Sequence, residues 1–159
     1  MSKALPEELA RLRGIGIAKA SAVVAAFELG RRSATCPDRR PLRCMSDAAQ
    51  IAQRELAGAR RERVIVIVCD AANGVIRVLR ISEGSIDRSL FPIREILNGV
   101  LRHDGRSFAV AHNHTSGDAA PSERDRAATA DIKAAAAIVG LRFLGHVVVA
   151  GEEWASVST

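Results

Sequence analysis

The chain alternates between two patterns of apolar and polar residues, one typical of strands and one typical of helices. Residues 64–69 form an unbroken, mostly β-branched apolar run, which predicts a strand buried on both faces. Asn73-Gly74 predicts a hairpin turn that leads into a second strand over 75–79. Two more apolar runs predict later strands, at 108–111 and 141–149.

Helical segments are predicted between these strands. One covers about 46–57 and starts with a Ser-Asp pair that suits a helix cap. A second covers about 91–101 and has proline near its start, where a helix tolerates it. A third starts within 121–125 and continues to Gly140. This alternation of helices and strands predicts an α/β fold built in layers.

The start of the chain predicts a small helical hairpin. Two short helices, over 6–12 and 18–29, are separated by Gly14 and Gly16, and Gly30 is expected to end the second helix. A hairpin of about 25 residues is too small to be stable alone, so we expect it to accompany a larger domain.

The glycine turn of this hairpin offers chemistry for nucleic acid. Gly14 and Gly16 let backbone N–H groups approach a phosphate, and Lys19 supplies a positive charge beside them. Such contacts are blind to base sequence. An ordinary hairpin that packs on the larger domain explains the same pattern, so both interpretations stay open.

Composition and charge narrow the possible partners and the compartment. The net charge is +5, which favours contact with nucleic acid or another acidic partner. The three cysteines form no Cys-x-x-Cys pair, so neither a disulfide framework nor a thiolate zinc site is predicted. No apolar run approaches the ~18 residues that span a bilayer, and the N-terminus lacks the apolar segment of a signal peptide. We therefore expect a cytoplasmic protein that does not bind membranes.

The strongest chemical signal lies where the apolar run at 108–111 ends. His112 and His114 are two residues apart, so in a strand both imidazoles point to one side. Asp125 falls in the first turn of the following helix, where a folded-back loop can aim its carboxylate at the imidazoles. Two neutral imidazoles and one carboxylate leave a fourth tetrahedral position for water, which is the catalytic arrangement of zinc.

Simpler interpretations of these residues stay open. Ser122 followed by Asp125 also matches a helix capping box, and paired histidines can end a strand without binding metal. Asp118 can compete with Asp125 as the third ligand, although it lies in a loop. His146, set beside an apolar run, is expected in the core or behind a ligand that it orients.

The spacing from His-x-His to Ser122 and Asp125 matches the signature of JAMM (MPN+) zinc metalloproteases. The chain resembles the RadC-type (UPF0758) branch of that superfamily, and the similarity extends over nearly its whole length. Thr115 stands where that family usually has proline, a departure that affects loop rigidity and no ligand; the tail at Trp154 also departs from the family. The segments that carry the resemblance are 14–19, 28–32, 112–118 and 121–125.

The resemblance implies a JAB/MPN-like fold, a mixed α/β sheet flanked by helices with a small N-terminal helical hairpin. It divides the chain into a helix-hairpin-helix-like segment at 1–32, a basic linker at 33–45 and a JAMM/MPN+ domain at 46–159. It also implies one Zn²⁺ per chain, held by the residues singled out above, His112, His114 and Asp125.

The resemblance further requires a glutamate base ahead of the histidines. Glu62 occupies the place that the superfamily gives to this residue, just before the strand at 64–69. It would polarise the attacking water and transfer its proton. Glu83, in a glycine-bounded loop, is the alternative, and Glu62 can instead only offset the arginines around it. Ser122 would hydrogen-bond the tetrahedral oxyanion.

The leading functional hypothesis is a zinc-dependent metallopeptidase that cleaves peptide or isopeptide bonds of an unidentified protein substrate. The alternative is a DNA-associated repair or accessory protein, in which the hairpin and the basic linker at 33–45 contact DNA and zinc is structural or vestigial. A zinc nucleoside deaminase is disfavoured, because the chain lacks the His-x-Glu and Pro-Cys-x-x-Cys pair of that class.

Overall fold

The computed structural model describes four stretches of the chain, residues 6–12, 14–34, 41–83 and 91–158. The chain divides into two compact units, Met1–Pro37 and Asp38–Thr159. The division falls within the predicted 33–45 linker, whose residues 35–40 lie outside the described stretches, as does the loop at 84–90.

The first unit contains two helices, α1 (Pro6–Leu9) and α2 (Ile17–Ala34). Gly14, in the turn between them, has a φ of +87°, which glycine adopts without strain. The predicted helical hairpin is therefore confirmed. The prediction that Gly30 ends the second helix is wrong, since α2 continues to Ala34. A glycine inside a helix costs only about 1 kcal/mol, which is too little to end a helix by itself.

The second unit is built on one mixed sheet. Its strands in chain order are β1 (Arg63–Cys69), β2 (Val75–Glu83), β3 (Ser107–Asn113), β4 (Arg142–Ala150) and β5 (Glu153–Ser156). They lie side by side in the order β2-β1-β3-β4-β5. The β3–β4 pair is parallel and the other neighbouring pairs are antiparallel. This arrangement confirms the predicted mixed α/β sheet.

Helices cover both faces of this sheet. They are α3 (Met45–Leu56), α4 (Ile93–Arg102) and α5 (Glu123–Ile138). The first packs on one face, here called the α3 face, and the other two pack on the opposite face, here called the α4/α5 face. No helix in the described stretches is long and apolar enough to cross a membrane. Buried residues on the α4/α5 face include Val64, Val66, Phe108, Val110, Ile96 and Ile132.

The centre of the core is β1, which lies between β2 and β3 in the sheet. Every residue from Val64 to Cys69 is fully buried, because helices cover the strand on both sides. The turn after β1 contains Asn73, whose φ of +64° is one that asparagine tolerates better than most residues. The continuous apolar run and the Asn-Gly pair therefore predicted this hairpin correctly.

Two local features differ from the sequence prediction. The residue that caps α3 is Cys44 and not Ser46, because the helix already starts at Met45. The second difference is β5, the last strand in chain order, which the sequence did not predict. Its side chains are mostly exposed, so it has no apolar run to signal it, and its backbone pairing with β4 at the sheet edge holds it in place.

A bulge in β4 reverses the alternation of its side chains. The pairing of β4 with β3 skips Leu144, which is one extra residue on β4. Gly145 follows with a φ of +150°, a conformation that favours glycine. Phe143 and His146 therefore both lie on the α4/α5 face, although residues three apart in a regular strand point to opposite faces.

We expect Gly145→Ala to lower the free energy of unfolding by about 1–3 kcal/mol, because alanine is strained in this backbone conformation and the Met45 side chain must move aside. An added Cβ would press on the Met45 Sδ atom, and alanine would have to adopt the positive φ of Gly145. The measurement is urea unfolding. Gly140→Ala is the matched control, since its φ is +73° and nothing lies within 4 Å of an added Cβ. Equal losses in both variants would contradict a special requirement at the bulge.

Candidate metal centre

Three potential metal ligands meet at the carboxyl end of β3. His112 lies within β3, His114 comes directly after its last residue, and Asp125 lies in the first turn of α5. One ligand atom from each side chain lies within 4.8 Å of the others. His112 and Asp125 are buried and His114 is partly buried, so the group is shielded but open on one side.

The separations between these atoms match a tetrahedral zinc shell. The Nε2 atoms of His112 and His114 are 3.1 Å apart. The Asp125 carboxylate lies 3.2 Å from His112 Nε2 through Oδ1 and 3.4 Å from His114 Nε2 through Oδ2. Ligand atoms about 2.0–2.1 Å from a tetrahedral zinc ion are about 3.3 Å from one another. The nearest-atom separations are therefore close to those of a zinc shell, and one ligand atom from each side chain lies within 4.8 Å of the others. No fourth ligand joins this group among the described residues.

The backbone determines which nitrogen of His114 is available to a metal. Its Nδ1 lies 2.9 Å from the carbonyl oxygen of Asp118. A carbonyl can only accept a hydrogen bond, so Nδ1 carries a proton, and Nε2 is the nitrogen whose lone pair can bind a metal. That lone pair faces the carboxylate of Asp125, and two acceptors so close repel each other unless a cation or proton lies between them.

Asp125 is a helix-capping residue as well as a member of the ligand group. Its Oδ2 accepts hydrogen bonds from the Ser122 N–H at 2.7 Å and the Ser122 hydroxyl at 2.6 Å, and its own N–H donates to Ser122 Oγ at 3.2 Å. Burial alone raises the pKa of Asp125, but its contacts with His112 and Ser122 outweigh burial and hold the pKa below its ordinary value. The capping and ligand interpretations of Asp125 are therefore compatible.

His146 lies directly behind His112. The Nδ1 atom of His112 is 2.8 Å from His146 Nε2, and His146 Nδ1 is 2.8 Å from Thr129 Oγ1. Phe91 packs edge-on against both imidazoles, with ring centroids 5.9 and 5.5 Å away. Burial lowers the pKa of His146 to about 3, so its ring is neutral. His146 is therefore both a core residue and a direct neighbour of His112, which agrees with its predicted place.

Asp118, the alternative third ligand, is not among the converging groups. Its carboxylate Oδ1 accepts a hydrogen bond from the Ala120 N–H at 2.8 Å, and its carbonyl binds His114. Its own N–H donates to Ser116 Oγ at 3.4 Å. These bonds shape the loop between β3 and α5, and the geometry favours Asp125 as the carboxylate of the ligand group.

Glu62, the predicted base, lies in the exposed segment just before β1. The side chain of Asn113, at the end of β3, holds this segment from both sides of Glu62. Its Oδ1 accepts from the Arg63 N–H at 2.8 Å, and its Nδ2 donates to the Arg61 carbonyl at 3.1 Å. The backbone of Glu62 is therefore fixed beside the end of the strand that carries the histidines.

Glu83, the alternative base, is the last residue of β2, and its backbone pairs with Arg63. Because β1 lies between β2 and β3, the Glu83 backbone is one strand farther from the histidines than Glu62. The geometry of the sheet therefore favours Glu62 over Glu83 as the residue closer to the site.

Sequence reasoning missed two residues that contact this group, Thr129 and Phe91. Thr129 follows Asp125 by four residues, which places it on the same face of α5 one turn later. That spacing was a usable signal, because any side chain one turn after a helix-borne ligand lies next to it. Phe91 precedes α4 and carried no such signal, since its contacts depend on how the chain returns to the sheet.

The residues predicted to bind nucleic acid lie in the first unit. Gly14, Gly16 and Lys19 are all exposed around the start of α2. The candidate metal ligands on β3 and α5 belong to the second unit.

Comparison with known proteins agrees with this geometry. Residues 42–159 match the family model of the RadC-like JAB domain. A UPF0758 protein of Bacillus licheniformis is 33% identical over 99% of this chain and 71% of its own length. UPF0758 proteins of Listeria innocua and Syntrophotalea carbinolica are 35% and 34% identical over 99% of this chain, and over 71% and 70% of their own lengths. The chain belongs to the RadC-like JAB domain family.

Proposed function

We propose that this protein is a zinc-dependent hydrolase that cleaves peptide or isopeptide bonds. The observation that supports this proposal is the convergence of His112, His114 and Asp125, which no fourth protein ligand joins within the described stretches of the chain. Structural zinc sites use four protein ligands, whereas catalytic sites keep one position for water or substrate. Membership of the RadC-like JAB domain family supports a metallohydrolase of the JAMM type.

The ligand set suits hydrolysis of an amide. Zinc, when bound, supplies Lewis acidity and an acidified water molecule near neutral pH. His112 and His114 contribute neutral imidazoles, and Asp125 contributes the one negative charge of the set. Because the set carries only that one negative charge, it would leave a bound divalent cation with a net positive charge. The Ser122 hydrogen bonds keep the Asp125 carboxylate ionised and correctly turned.

Glu62 is the proposed general base, and afterwards the general acid. Val64 pairs with His112 across β1 and β3. Continuing this register by two residues brings Glu62 opposite His114 and onto the same face. A carboxylate there can accept a proton from the attacking water and deliver it to the leaving amine. Its exposure at the strand end suits a group that must meet substrate.

Ser122 is the proposed support for the oxyanion. Its hydroxyl has one proton, which it donates to Asp125 Oδ2. Donation to a developing oxyanion requires this proton to turn away from Asp125. The Ser122 N–H, at 2.7 Å, still holds Oδ2 when it does so. Two donors on one oxygen therefore let the hydroxyl change partner without releasing the carboxylate.

We also propose that the protein works in the cytoplasm. Cys44 and Cys69 are free thiols, and Cys44 is exposed. An exposed free thiol suits a reducing compartment. Burial raises the pKa of the Cys69 thiol to about 12, so this residue is an unreactive part of the core.

Zinc analysis by mass spectrometry tests the metal site. Wild-type protein is expected to carry about one zinc per chain, and a His112→Ala, His114→Ala double variant is expected to carry almost none, because two of three ligands are lost. His103→Ala is the matched control, since His103 is a partly buried histidine at the end of α4 and outside the ligand group. Equal zinc in wild type and the double variant would end the metal proposal.

Peptidase assays on the glutamate variants test the base. Glu62→Gln is expected to lower turnover by about 10²–10⁴-fold, as loss of a general base does, while leaving the zinc content unchanged. Glu83→Gln is the matched control and is expected to keep turnover within about twofold of wild type. If Glu83→Gln abolishes turnover and Glu62→Gln does not, the two roles are reversed. The substrate for these assays would come from a proteome-wide comparison of cleavage products between cells with wild type and Glu62→Gln.

A DNA-associated role is the second candidate function, and the turn before α2 favours it. Gly14, Gly16 and Lys19 are exposed, and nothing lies within 4 Å of a Cβ added at either glycine. A phosphate can therefore approach the backbone closely. The helix α2 starts at Ile17, so the N–H groups of its first turn lie beside this open surface.

A salt series of DNA binding tests this candidate. If the turn contacts phosphate, Lys19→Ala is expected to reduce the slope of log affinity against log salt by about 1. Gly16→Val should weaken binding at every salt concentration, because its side chain blocks the approach of the phosphate. Lys133→Ala, which removes a lysine from the other unit, is the matched control for net charge. An identical slope in all four proteins would exclude a phosphate contact at the turn.

A further inference from the structure

We infer that Thr129, acting through His146, holds the proton of His112 on Nδ1 and so keeps Nε2 of His112 available for the metal. Thr129, His146 and His112 are called the relay below. The position of the proton follows from hydrogen-bond directions and from the complete burial of His146. Its consequence for metal affinity rests on the proposed function of the site.

Thr129 determines which group donates and which accepts in each hydrogen bond of the relay. Its hydroxyl donates to the backbone carbonyl of Asp125, which can only accept. A hydroxyl has a single proton, so Thr129 Oγ1 must accept in its other contact. That contact is with His146 Nδ1, at 2.8 Å. The proton of the His146 ring therefore lies on Nδ1.

The hydrogen bond from His112 to His146 then determines which nitrogen of His112 carries the proton. A neutral imidazole with its proton on Nδ1 presents a lone pair at Nε2. His146 is completely buried, so its ring is neutral and its Nε2 must accept. The partner of this Nε2 is His112 Nδ1, at 2.8 Å. His112 consequently donates from Nδ1, and its Nε2 faces His114 and Asp125.

The relay opposes a competing interaction. The Asp125 carboxylate lies 3.2 Å from His112 Nε2 and, in the absence of a cation, attracts a proton to that nitrogen. A proton on Nε2 alone would block the ligand atom. The acceptor at His146 disfavours this outcome, because it requires a proton on His112 Nδ1 and so excludes a ring protonated on Nε2 alone.

The position of the ring proton is therefore fixed by different groups in the two proposed histidine ligands. His114 donates from Nδ1 to a backbone carbonyl, which no side-chain substitution removes. His112 depends on a threonine hydroxyl that is two hydrogen bonds away. This makes Thr129 a positioning residue, and it makes the His114 ring an internal control within the same protein.

The fold brings the relay together through two features already described. Thr129 stands one helical turn after Asp125 on α5, so it lies behind the carboxylate ligand. The Leu144–Gly145 bulge turns His146 to the α4/α5 face, where it pairs in register with Val110 beside His112. Without the bulge, the His146 ring would point to the α3 face and away from the site.

The test is nitrogen NMR of the histidine rings in metal-free protein, at a pH about two units above the ordinary imidazole pKa of about 6.5. In wild type, Nδ1 is expected to be protonated in both His112 and His146. In Thr129→Val, which removes the acceptor but keeps the shape, the proton of His146 is expected to move to Nε2. His112 Nδ1 then becomes the acceptor and loses its proton. His114 is expected to keep its proton on Nδ1 in both proteins.

Thr129→Ser distinguishes an effect of the Thr129 hydroxyl from an effect of side-chain packing, because it keeps the hydroxyl and loses a methyl group. It is expected to show the wild-type ring signals. Zinc affinity, measured by competition with a chelator, is expected to fall about 10–100-fold in Thr129→Val and to stay close to wild type in Thr129→Ser, as for other groups behind a metal-ligating histidine.

Two results would overturn the inference. One is a wild-type His112 without a proton on Nδ1, which needs no variant to observe. The other is unchanged ring signals of His112 and His146 in folded Thr129→Val. If the ring signals change as expected but no protein binds zinc, the relay stands and the proposed function fails, so the two outcomes are distinguishable.

Discussion

The parallel pairing of β3 with β4 is the constraint on which the rest of the second unit depends. Two adjacent parallel strands need a crossover between them, and here the crossover is α5. A crossover helix must start near the end of the first strand. The first turn of α5 is therefore brought to the carboxyl end of β3, where sites in sheets of this kind usually form. His112, at the strand end, and Asp125, in the helix start, meet for this reason.

The parts of the site that could be predicted from sequence are those set by local geometry. His112 and His114 share a side because of strand periodicity, and Ser122 with Asp125 marks a helix start whatever else it does. The fully apolar run of β1 likewise predicted a strand buried on both faces. These features need only a short stretch of chain, so the sequence carries them directly.

The parts that could not be predicted depend on register between distant segments. The extra residue on β4 places His146 behind His112, but no local pattern shows where a bulge falls. Glycine in a strand is a hint of a bulge, and Gly145 offered it. The edge strand β5 follows from pairing with β4 and not from its own side chains. Gly30 shows the opposite error, since a local signal for a helix end is overridden in α2.

The capping box of Ser122 and Asp125 has a consequence for how the centre is assembled. The hydrogen bonds that fix the carboxylate are the same ones that start α5, so they form when the protein folds. The backbone carbonyl of Asp118 likewise orients His114 without help from an ion. The centre is preorganised, unlike that of a zinc finger, in which the ion drives folding. The positions of the three side chains are therefore set by the fold itself, and an ion that bound here would not be needed to bring them together.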